Sequence, residues 1–278
     1  MGIKIYKPTS AGRRRSSVDS FSDITKTYPE KKLTVELRHK GGRNNQGKIT
    51  VRHHGGGAKQ RYRLVDFKRN KFDVSATVLA IEYDPVRNAR IALIKYSDGE
   101  KSYIISPDKL AVNDTVISSH SQQEIKIGNR MPIGFMPAGM MVYDVELLPG
   151  KGGTVARAAG NGVVVISQES GMVQAKMPSG EIRLFYNECL ATVGQVSNPD
   201  YRNIRWGKAG RSRYRGIRPS VRGKVMNPVD HPHGGGEGKQ PIGLKHPKTP
   251  QGKPALGVKT RNRHKASNQL IVRRRNKK

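Results

Sequence analysis

The chain has 278 residues, with 52 Lys and Arg against 21 Asp and Glu, and a formal net charge of +31. Such a charge repels itself in a compact monomer and is relieved by a polyanion that releases counterions, so nucleic acid is the expected partner. No apolar run approaches the ~20 residues of a membrane-spanning helix, no basic amphipathic helix is evident for a membrane surface, and the single cysteine, Cys189, excludes an intrachain disulfide and points to an intracellular protein.

Residues 1–60 are basic, glycine-rich and short of apolar periodicity, which predicts an extension lying on RNA with one brief strand, Leu33–Leu37. The opening MGIKIYKPTSAGRRRSS has no apolar h-region for a secretory signal and no amphipathic helix for a transit peptide. Tyr6 stands where a myristoylation motif needs Ser or Thr. Gly42–Lys48 fits the first part of a P-loop, G-x-x-x-x-G-K. The next residue is Ile49, which offers no hydroxyl to Mg²⁺, and the β-branched Ile49-Thr50-Val51 run disfavours the helix a P-loop needs. The glycines with Arg43, Lys48 and Arg52 fit close approach to RNA phosphates better. His53, His54, Gly55, Gly56, Gly57 and Lys59 extend the same basic stretch, again as RNA contacts.

Period-two patterning begins at Tyr62 and gives strands at Tyr62–Phe67, Ala76–Tyr83, Ala89–Tyr96 and Lys101–Ile105, with Asp98-Gly99 as a hairpin turn. Val116-Ile117 and Gln122–Gly128 are expected to close this unit, residues 61–128. Pro132–Pro137 reads as a linker. A second β unit, residues 129–200, takes strands at Val142–Leu148, Val155–Ala159, Val163–Gln168, Val173–Met177, Ile182–Tyr186 and Ala191–Val196, with turns at Ser170-Gly171 and Ser179-Gly180. The fold class is all-β, two small antiparallel barrels in tandem; a hydrophobic content of 35% suffices for that but not for one large core. Cys189 reads as a small buried side chain in a strand.

After Asp200 the charge becomes one-signed, and residues 201–278 are predicted to form a basic extension that penetrates RNA, with a short helix in GKAGRSRYRG. Arg202, Arg205, Lys208, Arg211, Arg213, Arg215, Arg218 and Arg222 are its candidate phosphate contacts. Trp206 and Tyr214 are candidates for stacking on unpaired bases, the alternative being local apolar anchors. The stretch from Arg222 to Lys239 holds Pro228 and Pro232, which exclude a regular helix, and Gly234, Gly235 and Gly236, whose backbone can lie almost against another surface. Asp230, His231 and His233 invite an acid–base reading, but no Ser or Cys nucleophile adjoins them. A zinc site would need His246 or Cys189 to join the two histidines, and no Cys-x-x-Cys accompanies them. The site is read as metal-free and without cofactor.

The words MNPVDHPHGGGEG (Met226–Gly238), GGRNNQGKIT (Gly41–Thr50), RHHGGGAKQRYRLVDFKRNK (Arg52–Lys71), EYDPVRNARIALIKYSDGEKSYI (Glu82–Ile104), PGKGGTVARAAG (Pro149–Gly160) and VRRR (Val272–Arg275) closely resemble, in colinear order, the ribosomal large-subunit protein L2 family. The resemblance implies an OB-like first barrel and an SH3-like second one. It adds Lys68, Arg69, Lys151, Arg157, Arg273, Arg274 and Arg275 to the RNA-binding candidates. It implies a structural constituent of the large ribosomal subunit in the cytoplasm, with roles in subunit association and in the RNA architecture around the peptidyl-transferase region. The implied partners are large-subunit rRNA, neighbouring ribosomal proteins, and small-subunit rRNA or protein across the interface; no membrane and no small-molecule substrate enter. It also raises His231, with Asp230, as a participant in peptide-bond formation, against which the bland reading is an RNA-packed loop in a protein that is not an enzyme.

Overall fold

A computed structural model describes residues 2–275. Strands β1 (Ile3–Ile5) and β2 (Ser17–Asp19) pair antiparallel, as do β3 (Thr34–Leu37) and β4 (Gln60–Arg63). β5 (Ala76–Tyr83), β6 (Arg90–Tyr96), β7 (Lys101–Ile105) and β8 (Thr115–Val116) form a sheet in the order β7-β6-β5-β8. A larger sheet contains β9 (Arg130–Pro132), β10 (Met141–Tyr143), β11 (Val163–Glu169), β12 (Met172–Lys176), β13 (Ile182–Tyr186), β14 (Leu190–Val193) and β15 (Ile271–Arg273), in the order β15-β13-β12-β11-β10-β14-β9. The one α-helix among the described residues is α1 (Ala209–Tyr214), inside the expected GKAGRSRYRG. The sheets curl as OB-like and SH3-like barrels do. Bulges at Val78/Ala80 in β5 and Val165/Ser167 in β11 help to bend them.

The period-two reading explains why β6 is buried almost throughout. Its odd residues, Ile91 and Leu93, join Tyr103, Val142, Tyr143 and Val163 in one core; its even residues, Ala92, Ile94 and Tyr96, join Ala76, Val78 and Ile104 in another. Alternation here separates two cores rather than core from solvent. The first core is common to both barrels, and the Tyr143 hydroxyl donates to the Ile105 carbonyl at 3.0 Å across the junction. The hairpin β11–β12 turns at Ser170 and Gly171, with φ 49° and 76°, the paired positive values of a type I′ turn.

Charge is also used inside. The fully buried Arg130 places Nη1 2.9 Å from the Asp144 carbonyl and 3.2 Å from its carboxylate, and Nη2 3.1 Å from Glu146. Glu146 in turn accepts backbone N–H groups of Gly150, Gly152 and Leu190. Burial pushes the Asp144 carboxyl up to about 6 despite Arg130 beside it. Removing one partner of such a buried set costs about 3–5 kcal/mol, because the other is left unpaired. Cys189 is buried, and burial pushes its thiol up to about 11, as an inert structural side chain requires.

Several segments differ from expectation. By contacts along the chain, the described residues 2–38, 59–209 and 267–275 belong to one compact unit, and 39–58 and 210–266 to a second. The amino-terminal residues up to Arg38 therefore belong with the barrels rather than with a free extension. Their acids are the reason: Arg90, 1% exposed, takes Asp23 at 2.8 Å and Asp19 at 2.9 Å. Thr25 exchanges backbone and side-chain hydrogen bonds with Ile81, and the Glu30 N–H donates to Tyr103 Oη at 2.7 Å. Desolvation alone would raise the Asp23 carboxyl, but Arg90 holds it below the ordinary carboxylate value. Its contribution to the latch is therefore full above about pH 3.9 and is lost as pH falls through the depressed value. Arg90→Gln is expected to speed tryptic cleavage at Arg13–Arg15 several-fold at neutral pH, read by mass spectrometry, while the barrels remain intact.

The predicted linker Pro132–Pro137 is instead the end of β9 followed by a 3₁₀ turn, Ile133–Phe135, with Met131, Ile133 and Met136 at 0% exposure. Two prolines close together mark an edge strand and a tight turn as well as they mark a linker. Gln122–Gly128 forms no strand, and Val155–Ala159 contributes only a bridge from Val155 to Val145. At the other end, Ile271–Arg273 pairs with β13, so this part of the expected tail is the edge strand of the second barrel.

Candidate nucleic-acid interface

The second unit carries eighteen Lys and Arg against two acids, Asp230 and Glu237. By count alone most of these cations have no acid of their own unit to meet. Two segments distant in sequence build its first feature. The 53–58 stretch runs antiparallel to 214–218, through Arg218 N–H to the His53 carbonyl (3.0 Å), Gly55 N–H to Gly216 (2.9 Å) and Ala58 N–H to Tyr214 (2.8 Å). His53 and Gly55 to Gly57 all take positive φ. A Cβ on Gly57 would lie 2.9 Å from the Gly216 nitrogen, so this triple glycine serves a close approach within the chain itself.

Beside this ladder, the P-loop-like word folds as a tight hairpin. Thr50 and Val51 donate to the Gly42 carbonyl, and Asn44 Oδ1 accepts the N–H groups of Gln46 and Lys48 at 3.0 Å each. No helix follows it, so the strand–loop–helix that cradles a nucleotide is missing. What the hairpin and ladder enclose is an open cleft of about 810 Å³. Lys40, Arg43, Arg52 and Arg218 supply its cations, His39, His53 and His54 its imidazoles, and Gly41, Gly55 and Gly56 stretches without side chains. Cations, planar rings and bare backbone together suit a nucleic-acid backbone with unstacked bases. His39 and Lys40 were not among the expected contacts; their place immediately before Gly41-Gly42-Arg43 was the available signal.

The second feature is the glycine loop. A 3₁₀ turn at Gly223–Val225 leads into Asn227, whose carbonyl accepts the N–H groups of Asp230 and His231. The His231 ring is 8% exposed and packs on Gly223, where a Cβ would fall 2.4 Å from the imidazole. His231 Nδ1 accepts the His233 N–H at 3.0 Å, and His233 Nε2 accepts the Lys248 N–H at 2.8 Å. The rings lie 4.7 Å apart. A Cβ on Gly234 would sit 2.2 Å from the Asn227 oxygen, and Gly235 and Gly236 have φ of 92° and 77°. The bare backbone expected to face another surface is thus used first to fold the loop on itself. His231 is in a poor position for a base: its accepting nitrogen is already occupied, and Asp230 lies exposed.

The remaining candidates divide by exposure. Arg43, Lys48, Arg52, His53, His54, Lys59, Lys68, Lys151, Arg202, Arg205, Lys208, Arg215, Arg218, Arg222, Arg273, Arg274 and Arg275 are exposed. Tyr214 is 68% exposed at the end of α1, open for stacking. Trp206 is half-buried, edge-on to Tyr201 at 6.1 Å, as a local anchor would be. Arg157, Arg211 and Arg213 are half-buried; the Arg157 guanidinium lies 4.4 Å from the Phe67 ring, and Arg213 donates to the Ile217 carbonyl. Arg69 is a correction. It is 3% exposed, with Nη1 donating to the Gly128 carbonyl at 2.9 Å, and burial lowers its pKa. Its neighbours in the basic word Lys68–Lys71 gave no hint that one member points inward to close the first barrel.

Two family models match the chain. Residues 30–118 match Ribosomal Proteins L2, RNA binding N-terminal domain, and residues 126–252 match Ribosomal Proteins L2, C-terminal domain. The first match takes in the 39–58 half of the cleft, and the second takes in Arg218 and the glycine loop. With both domains present in order over most of its length, the chain belongs to the ribosomal protein L2 family, a structural, rRNA-binding component of the large ribosomal subunit.

Proposed function

We propose that residues 39–58 and 210–266 are the principal rRNA-contacting part of this chain, with the cleft around Arg43, Arg52 and Arg218 gripping the RNA backbone and the glycine loop as a preformed plug between RNA elements. The observation that carries this is the convergence of four cations, three imidazoles and bare glycine backbone on one cleft in a unit almost without acids. The exposed cations of the barrel unit, among them Lys68, Lys151, Arg202, Arg205 and Arg273 to Arg275, give secondary contacts. In this reading the protein is not an enzyme: it shapes the RNA around the peptidyl-transferase region and supports subunit association, in the cytoplasmic ribosome.

Protease accessibility tests the assignment. Trypsin is expected to cut the free chain at Arg211, Arg213 and Arg215 within minutes, and to leave the same sites at least tenfold slower in intact large subunits. Equal cleavage in both would remove this segment from the RNA contact. Subunit association is tested separately, by sedimentation of large subunits reconstituted with and without the chain; unchanged association would discard that role and leave the RNA contact standing.

A further inference from the structure

The barrel unit has a cavity of opposite chemistry. About 450 Å³ in volume, it is walled by Pro132, Phe135 and Pro149, with His120, Asn187 and Glu188 completing the lining. No Lys or Arg lines it, although the chain carries 52 of them. Two of its backbone donors are already committed: the Gly134 N–H to the Asn187 carbonyl, and the Gly150 N–H to Glu146. Two acceptors remain among the lining groups. Asn187 Oδ1 is buried with no hydrogen-bond partner, and the Glu188 carboxylate is on an exposed residue. Phe135 is 43% exposed, and Leu148 and Tyr186, next in the chain to lining residues, are 49% and 38% exposed.

We propose that this cavity docks an extended protein segment through an Arg or Lys side chain. The cation would pair with Glu188, fill the empty acceptor of Asn187 and lie on the Phe135 face, while neighbouring apolar side chains cover the prolines. An RNA phosphate would meet a carboxylate with no lining cation to offset it. The occupant therefore differs in kind from that of the basic cleft: it is a basic segment of a neighbouring protein in the particle. This rests on the chain's place in the large subunit.

The test installs a photo-crosslinking residue, Phe135→p-benzoylphenylalanine, and irradiates purified large subunits that have incorporated the chain. The expected product joins this chain to a second protein, at a peptide that carries Arg or Lys within a few residues of the crosslink. Glu188→Lys, a change at an exposed position, is expected to lower the yield at least fivefold while leaving the chain's thermal unfolding midpoint unchanged. A crosslink to rRNA, no crosslink, or a yield indifferent to Glu188→Lys overturns the assignment. Failure of the chain to enter large subunits at all overturns the ribosomal placement instead, so the two failures are distinguishable.

Discussion

Gly234→Val is expected to prevent the 223–240 loop from closing and to leave assembled large subunits strongly depleted of the chain, whereas His231→Gln should leave normally composed particles whose rate of peptide-bond formation changes less than about threefold. The reason lies in the different roles of the two residues. At Gly234 even a Cβ would stand 2.2 Å from the Asn227 oxygen and 2.5 Å from its carbon, and both belong to backbone that cannot swing aside. Overpacking of this kind costs about 1–3 kcal/mol where neighbours can adjust and more where they cannot. A loop with little apolar content has nothing to set against that loss. Glutamine at 231, by contrast, keeps an acceptor of similar reach for the His233 N–H. Were His231 a general base, removing it would slow the chemical step by roughly 10²–10⁴. Single-turnover peptide-bond formation in purified particles of normal composition separates the two; a slow His231→Gln particle would reinstate catalysis.

Neutralising the cleft should show itself in salt rather than at one fixed condition. The quadruple change of Lys40, Arg43, Arg52 and Arg218 to Gln is expected to flatten the log–log dependence of rRNA affinity on salt by about 3, since each phosphate contact contributes about 0.7–0.9. Between 50 and 200 mM salt the unsubstituted chain would then lose about 60-fold more affinity than the variant. Filter binding to a large-subunit rRNA fragment over a salt series measures it. An unchanged slope would show that these four side chains do not displace counterions, whatever their effect at a single salt concentration.

How much of this was legible in the sequence depended on the length of the interaction. Strands Ala76–Tyr83, Lys101–Ile105 and Ile182–Tyr186 fall where alternation put them, because a pleated strand writes its period locally. Positive-φ turns such as Ser170-Gly171 were equally local. The latch of Asp19 and Asp23 on Arg90 and the pairing of Ile271–Arg273 with β13 were invisible, because each joins residues far apart with no pattern of its own. The basic words of the cleft were readable one at a time; that 53–58 pairs with 214–218 was not. Arg69 shows the limit of charge counting, since a cation that caps buried carbonyls reads like any other in a basic run. The glycines of the 234–236 stretch do serve a close approach, and within the folded chain the surface they approach is their own.

The pairing of β15 with β13 also bears on how the protein is made. Until residues 271–273 leave the exit tunnel, β13 presents an unpaired edge with its N–H and carbonyl groups open. Roughly 85 residues separate the two strands, so at about 5–20 residues per second the nascent chain carries that bare edge for about 4–17 s. The residues synthesised during that interval carry 17 Lys and Arg against four acids, and like charges of that density oppose close approach of another such chain. The order of elements along the chain thus places a charged guard beside the strand edge that waits longest for its partner.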